Sequence, residues 1–289
     1  MKKRALLASL LFVVSLVSLY FALEAYANAK LKEKIDRRLR KLPYAVSYSY
    51  FHYNLALNDL EFKDLSLRGK LFYVKISDLK VDLPFNFRKK GFPPYLKVSL
   101  EGGVVGLNLP LLDELLGESS FKFDLNGWYT FSGNRFNSYL FLRLSQVADI
   151  YTEASVENLS YSAVERFLEG RTTVNSLINR GKLDKFLFVF RNRGIYERFL
   201  SYAAKQEGTT PAKVKEELLK MVKQSFKDPY LYANLGKALE EFIENPSCLK
   251  LEVNPPVPVS LKEVKKLFVS RPDLKRVVEE LGVKFTVCR

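Results

Sequence analysis

The chain has 289 residues, 47% of them hydrophobic and 27% charged, an ordinary globular balance that excludes a disordered polymer. A net charge of +14 invites a nucleic-acid reading, yet residues 1–41 hold ten Lys/Arg against three Asp/Glu, half of the whole excess. The remainder is spread without a dense basic block, so no nucleic-acid partner is expected.

Met1-Lys2-Lys3-Arg4 is a short basic head, and Ala5 to Leu23 follows without a charge. At the helical rise this run spans about 28 Å, close to the hydrocarbon thickness of a bilayer, which predicts one membrane-spanning helix. Tyr20 sits near one end, as interfacial aromatics do. Leu31, Ile35, Leu39 and Leu42 recur at helical spacing among Lys and Arg, so the helix is expected to continue as a basic amphipathic stalk to residue 42. The rival reading is a cleaved signal peptide, because Ala25-Tyr26-Ala27 and Ala27-Asn28-Ala29 fit the small-x-small rule. The length of the apolar run favours the uncleaved anchor. Both place the body outside the cytoplasm, against a positive-inside count in which the stalk is more basic than the head.

From Tyr44 to about Leu159 the hydrophobic period is two. Val46, Tyr48 and Tyr50 alternate with serines; Phe72, Val74 and Ile76 with Tyr73 and Lys75; Leu96, Val98 and Leu100 with Lys97, Ser99 and Glu101. Phe121, Phe123 and Leu125, then Leu140, Leu142 and Leu144, continue the pattern. This predicts antiparallel strands with one apolar and one wet face. The phase flips after Asp78, where Leu79, Val81 and Leu83 take over, and a turn or bulge there would return the same face to the core. Pro93-Pro94, Gly102-Gly103 and Gly133-Asn134 read as turns between strands.

After residue 160 the period becomes helical. Ser162–Glu169 is a short helix, Leu183–Phe190 a strand, and Ile195–Gln206 a helix ending before Gly208. Thr210-Pro211 and Asp228-Pro229 pair an N-cap with a first-turn proline, opening helices over Ala212–Phe226 and Tyr230–Glu244. Leu249–Val253 is a strand, Ser260 with Glu263 forms a capping box for Leu261–Phe268, and Ser270 and Asp273 start a further helix before a last strand, Val283–Val287. The fold class is α+β: an anchor and stalk over 1–42, an antiparallel sheet over 43–160, and a helix-rich part over 161–289. Its three strands either rejoin the sheet or form a second domain.

Chemistry-bearing motifs are scarce. His52, the one histidine, lies between Phe51 and Tyr53 in a strand with no serine or cysteine motif beside it. Two cysteines with no histidine support do not make a zinc site. No phosphate-binding or dinucleotide-binding glycine pattern occurs. Neither an enzyme, a cofactor, a metal nor a small-molecule substrate is therefore expected. Cys248 precedes one C-terminal strand and Cys288 ends the other, so antiparallel pairing would bring them to the same end of the ladder, within disulfide reach. Two buried thiols are the alternative.

The basic head, anchor helix and basic stalk, with the dense L-x-L and D-L-x-L rhythm of Val46–Leu67 and Leu71–Leu83 and the stretch Gly102-Gly103-Val104-Val105-Gly106-Leu107, resemble the N-terminal region of AsmA-like bacterial envelope proteins. The resemblance covers about residues 1–160. It implies an inner-membrane anchor, a periplasmic body and a β-groove that handles lipid, with membrane lipids and envelope proteins as partners. A lipid groove would be lined by Val46, Tyr48, Phe72, Val74, Val98, Leu100, Phe123 and Leu142. The same residues would otherwise be plain core beneath the C-terminal helices. A reading from another class is an anchored scaffold or adaptor of a secretion, pilus or envelope complex, recruiting a partner through an exposed strand edge.

Overall fold

The computed structural model describes residues 2–84, 93–107, 119–269 and 274–288, apart from the side chains of 2–14, 107 and 267–269. Helix α1 (Lys2–Leu39) is one continuous rod. Among the described residues no helix is long and apolar enough to cross a membrane. The apolar run on which a span was expected has its side chains up to Val14 outside the described residues.

The body is built on one 12-stranded sheet, every pairing antiparallel. Its strands are β1 (Ala45–Ser47), β2 (Tyr50–Asn54), β3 (Asp59–Arg68), β4 (Phe72–Asp82), β5 (Tyr95–Leu107), β6 (Ser120–Ser132), β7 (Arg135–Leu144), β8 (Ala148–Glu157), β9 (Lys182–Asn192), β10 (Cys248–Val253), β11 (Val259–Ser260) and β12 (Val283–Val287). The path runs β1-β3-β4-β5-β6-β7-β8-β9-β10-β12, with β2 also on β3 and β11 on β9. The three C-terminal strands thus rejoin the sheet, and the molecule is α+β.

Helices α2 (Tyr161–Leu168) and α3 (Val174–Arg180) link β8 to β9. Helices α4 (Ile195–Glu207) and α5 (Pro211–Ser225) form a hairpin on Leu200, Ala204 and Val214. Thr210 caps α5 by accepting from the Lys213 amide, and Asp228 caps the next helix by accepting from the amides of Tyr230 and Leu231. That next helix was expected to be uniform. It is instead a turn α6 (Pro229–Leu231), a π segment (Tyr232–Gly236) and α7 (Lys237–Glu244). A side chain at Gly236 would meet the Tyr232 ring at 2.7 Å and Phe226 Cβ at 3.1 Å, so the widened turn sits where the chain packs too closely for a Cβ. Helix α8 (Leu261–Val269) and α9 (Leu274–Leu281) complete the set. The expected start of α9 at Ser270 and Asp273 lies outside the described residues. The Ser260 hydroxyl accepts from the Lys262 amide at 3.2 Å. Helix α3 and strand β11 have no counterpart in the sequence reading.

Gly102-Gly103 is not a turn but lies within β5. Gly102 has φ +62°, Asp64 of β3 has φ +52°, and the β5–β6 register shifts between Leu100 and Gly103. These irregularities form a seam across the sheet, tied by Ser77 Oγ donating to the Gly102 carbonyl at 3.1 Å and the Gly102 amide donating to Asp124 Oδ1 at 3.0 Å. The seam produces the phase flip seen after Asp78. Ile76 pairs through Gly103 with Phe123, and Leu79 through Leu100 with Leu125, so residues an odd number apart reach one face.

Candidate functional site

Paired residues in an antiparallel ladder share a face, so the register traces one apolar surface across the sheet. Val46 pairs with Leu67, Leu67 with Val74, Val74 with Val105 and Val105 with Phe121. A second row runs Leu79, Leu100, Leu125, Leu142, Ile150, Phe190, Leu249, Val287. Val98 pairs with Val81 beside this row, Phe72 precedes Val74 by two, and Phe123 pairs with Leu144. Tyr48 sits edge-on to Phe62, the partner of Leu79. All eight residues proposed from sequence therefore share this face. Leu67, Val105 and Leu125 belong with them.

The face is covered unevenly. Over β9–β12 it is core: Phe242 of α7 packs edge-on to Phe190 with centroids 6.0 Å apart, and Val277 and Leu281 of α9 pack with Val253. Phe121, Val147 and Ala148 form a further cluster with Phe190 and with Ile195 of α4. Among the described residues no helix packs closely on β4 or β5, yet Ile76 is 7% and Leu100 8% exposed. Among the described residues this apolar side, the inner one, is thus buried at Ile76 and Leu100 by contacts other than a closely packed helix. Val46, Tyr48, Phe72, Val74, Val98, Phe123 and Leu142 are half-buried along this inner side.

The opposite side is wet, with ion pairs such as Lys80–Asp78, Lys97–Asp82 and Lys185–Glu153. Trp128, Tyr139 and Tyr151 form a line of ring contacts there. Asp149, 5% exposed, takes Arg193 at 2.8 Å and Arg143 at 3.6 Å, tying strand β8 to the turn between β9 and α4.

Helix α1 flanks the β1–β2 edge. Asn28 bonds both backbone groups of Tyr53, Glu24 lies 3.4 Å from His52 Nε2, and Tyr48 donates to Asp36 Oδ1 at 2.5 Å. The lone histidine thus pairs a nearly buried carboxylate of the helix. Burial first, then the bond to Asp36 and its charge, push the Tyr48 phenol up to about 12. Between the end of α1 and β1 opens a cleft of about 540 Å³, lined by Lys32, Asp36, Leu39, Arg40, Leu42 and Tyr44–Tyr48. Lys32 stands 6.0 Å over the Tyr48 ring. The sequence reading placed Val46 and Tyr48 on this surface but missed the basic side of the cleft, whose signal was the helical period of the stalk.

Cys248 and Cys288 form a disulfide at the end of the β10–β12 ladder, with Cα atoms 5.2 Å apart. Among the described residues no group of three or more His, Cys, Asp or Glu is placed to hold a metal. No curated protein matches the chain. A protein-family profile described as "Uncharacterized protein" matches residues 141–287, from within β7 through β12 and the helices that cover those strands. That match spans just over half of the chain, and the chain belongs to this family.

Proposed function

We propose that this chain is a non-enzymatic, AsmA-like protein of the bacterial envelope that handles lipid, anchored in the inner membrane by α1 as a single pass with its body in the periplasm. The observation that carries the reading is the continuous apolar face, whose β4–β5 part has no closely packed helix over it among the described residues. Ligand sites are mostly apolar, with few polar groups at their margins. The anchor is supported by the described part of the apolar run: Leu16, Val17, Leu19, Phe21 and Leu23 are each about half exposed or more, and such a patch marks a surface that another apolar phase covers. The disulfide supports an oxidising compartment. Lipid extraction and native mass spectrometry of the full chain purified from membranes test this reading, with copurifying lipid expected. A chain that never carries lipid, and that fails to float with vesicles, would refute it.

A second reading is supported by the end of the sheet. Among the described residues β12 stands last in the sheet order, paired with β10 alone, and an edge of this kind recruits partners by strand addition. In an anchored scaffold, in-membrane crosslinking from β12 would capture one stable protein partner and no lipid would copurify.

A further inference from the structure

The inner face of the sheet is bounded at both ends. At one end α1 lies along the β2 edge, held by Asn28 on Tyr53 and by Asp36 on Tyr48. At the other, Phe121, Val147 and Ala148 close the floor with Phe190 of β9 and Ile195 of α4. The row from Val46 of β1 to Phe121 of β6 crosses β3, β4 and β5 in that order. Four inter-strand steps make about 19 Å. The acyl layer of one leaflet is about 15 Å, half of a bilayer's hydrocarbon core. This stretch of floor, with no helix closely packed on β4 or β5 among the described residues, is therefore about one acyl chain long.

The two ends differ in chemistry. The closed end at Phe121 and Ile195 is built on a hydrophobic cluster. The α1 end carries the cleft of about 540 Å³ where the floor residues Val46 and Tyr48 meet the exposed cations Lys32 and Arg40. Asp36, the one carboxylate in that lining, is engaged by the Tyr48 hydroxyl. The cations also face the carboxyl end of a long helix, whose dipole they offset in part. Two of them beside an apolar slot still form a site for a negative headgroup.

We infer that the trough is a bounded compartment that holds one anionic phospholipid at a time. Its phosphate lies at Lys32 and Arg40 and its acyl ends lie toward Phe121 and Ile195. The inference rests on the lipid-handling reading. It departs from a track along which several lipids move in file.

The full chain, solubilised and exchanged with phosphatidylglycerol, would be weighed by native mass spectrometry. It would also be crosslinked with phosphatidylglycerol carrying a diazirine at the acyl terminus or in the headgroup. One lipid per chain is expected at saturation. The acyl-terminal probe should mark peptides containing Phe121 or Ile195, and the headgroup probe those of residues 32–48. Lys32→Gln with Arg40→Gln should weaken phosphatidylglycerol retention about 30-fold, at about 1 kcal/mol per cation, and leave retention of phosphate-free diacylglycerol unchanged. Lys284→Gln, on the wet side of β12, is the control that changes neither. Two or more lipids per chain, acyl-terminal crosslinks spread evenly over both ends, or an unchanged double variant would overturn the bounded site while leaving lipid handling in place. No retained phospholipid of any class would overturn both.

Discussion

Asn28 meets Tyr53 as a neighbouring strand would. Its side-chain oxygen accepts from the Tyr53 amide at 2.5 Å and its side-chain nitrogen donates to the Tyr53 carbonyl at 2.8 Å. One helical side chain thereby satisfies both backbone groups of an edge residue, the groups through which edges aggregate. Asn28→Ala strands them, and the expected loss of stability is about 1–3 kcal/mol in chemical denaturation. Hydrogen exchange at the Tyr53 amide should accelerate in the same variant. Exchange as slow as in the parent chain would contradict the clamp.

The Tyr48–Asp36 bond gives the same junction an alkaline limit. The folded phenol stands near 12, above the ordinary value near 10 of an unfolded tyrosine. Folding therefore favours the neutral form. Its contribution is complete below about pH 10 and is lost as pH rises toward 12. The difference between tyrosinate titrations of the parent and Tyr48→Phe should show one group titrating near 12. A difference centred near 10 would place the hydroxyl in water.

Reduction of the Cys248–Cys288 bridge should lower stability without abolishing the sheet. The cysteines are 40 residues apart, and closing a loop of that size is worth about 3–4 kcal/mol in the chain-entropy model. Thermal unfolding with and without reductant measures the effect, and a double serine variant should melt like the reduced protein. Two titratable thiols in protein purified without reductant would show that the bridge does not form.

Gly102 tests the seam. Its φ of +62° disfavours any side chain, and a Cβ there would lie 2.8 Å from Ser77 Oγ. Gly102→Ala is expected to cost about 1–3 kcal/mol from backbone strain alone. Gly102→Asn, which tolerates this conformation better, should cost less in the same unfolding measurement. Equal losses would mean that crowding by Ser77, not the dihedral, decides the position.

The strands were legible because their apolar residues alternate, and the register was legible in outline because the phase flip after Asp78 demanded an irregularity. What stayed hidden was its location. Gly102-Gly103 reads as a turn in sequence, since glycine serves turns and bulges alike, and only the pairing of Val104 with Lys75 and Lys122 shows a strand continuing through. The eight inner-face residues could be named because period two assigns faces without knowing partners. Lys32 and Arg40 could not be tied to them, because contact between a helix end and a strand depends on the path of residues 40–44. The break at Tyr232–Gly236 was invisible for a similar reason: the apolar spacing of Leu231, Leu235 and Leu239 fits an unbroken helix, and the crowding by Phe226 is tertiary.

Helix α1 continues from its apolar stretch into the body with no intervening loop, and the contact of Glu24 with His52 comes one residue after Leu23. The helix is a strut, not a leash. Whatever grips Leu16–Leu23 also fixes the attitude of the sheet, and a push or tilt delivered to that segment arrives at β2 as displacement instead of being lost in slack chain. The sheet keeps a set orientation toward that segment, and inserting a short flexible linker after Leu23 would remove that orientation while leaving every strand in place.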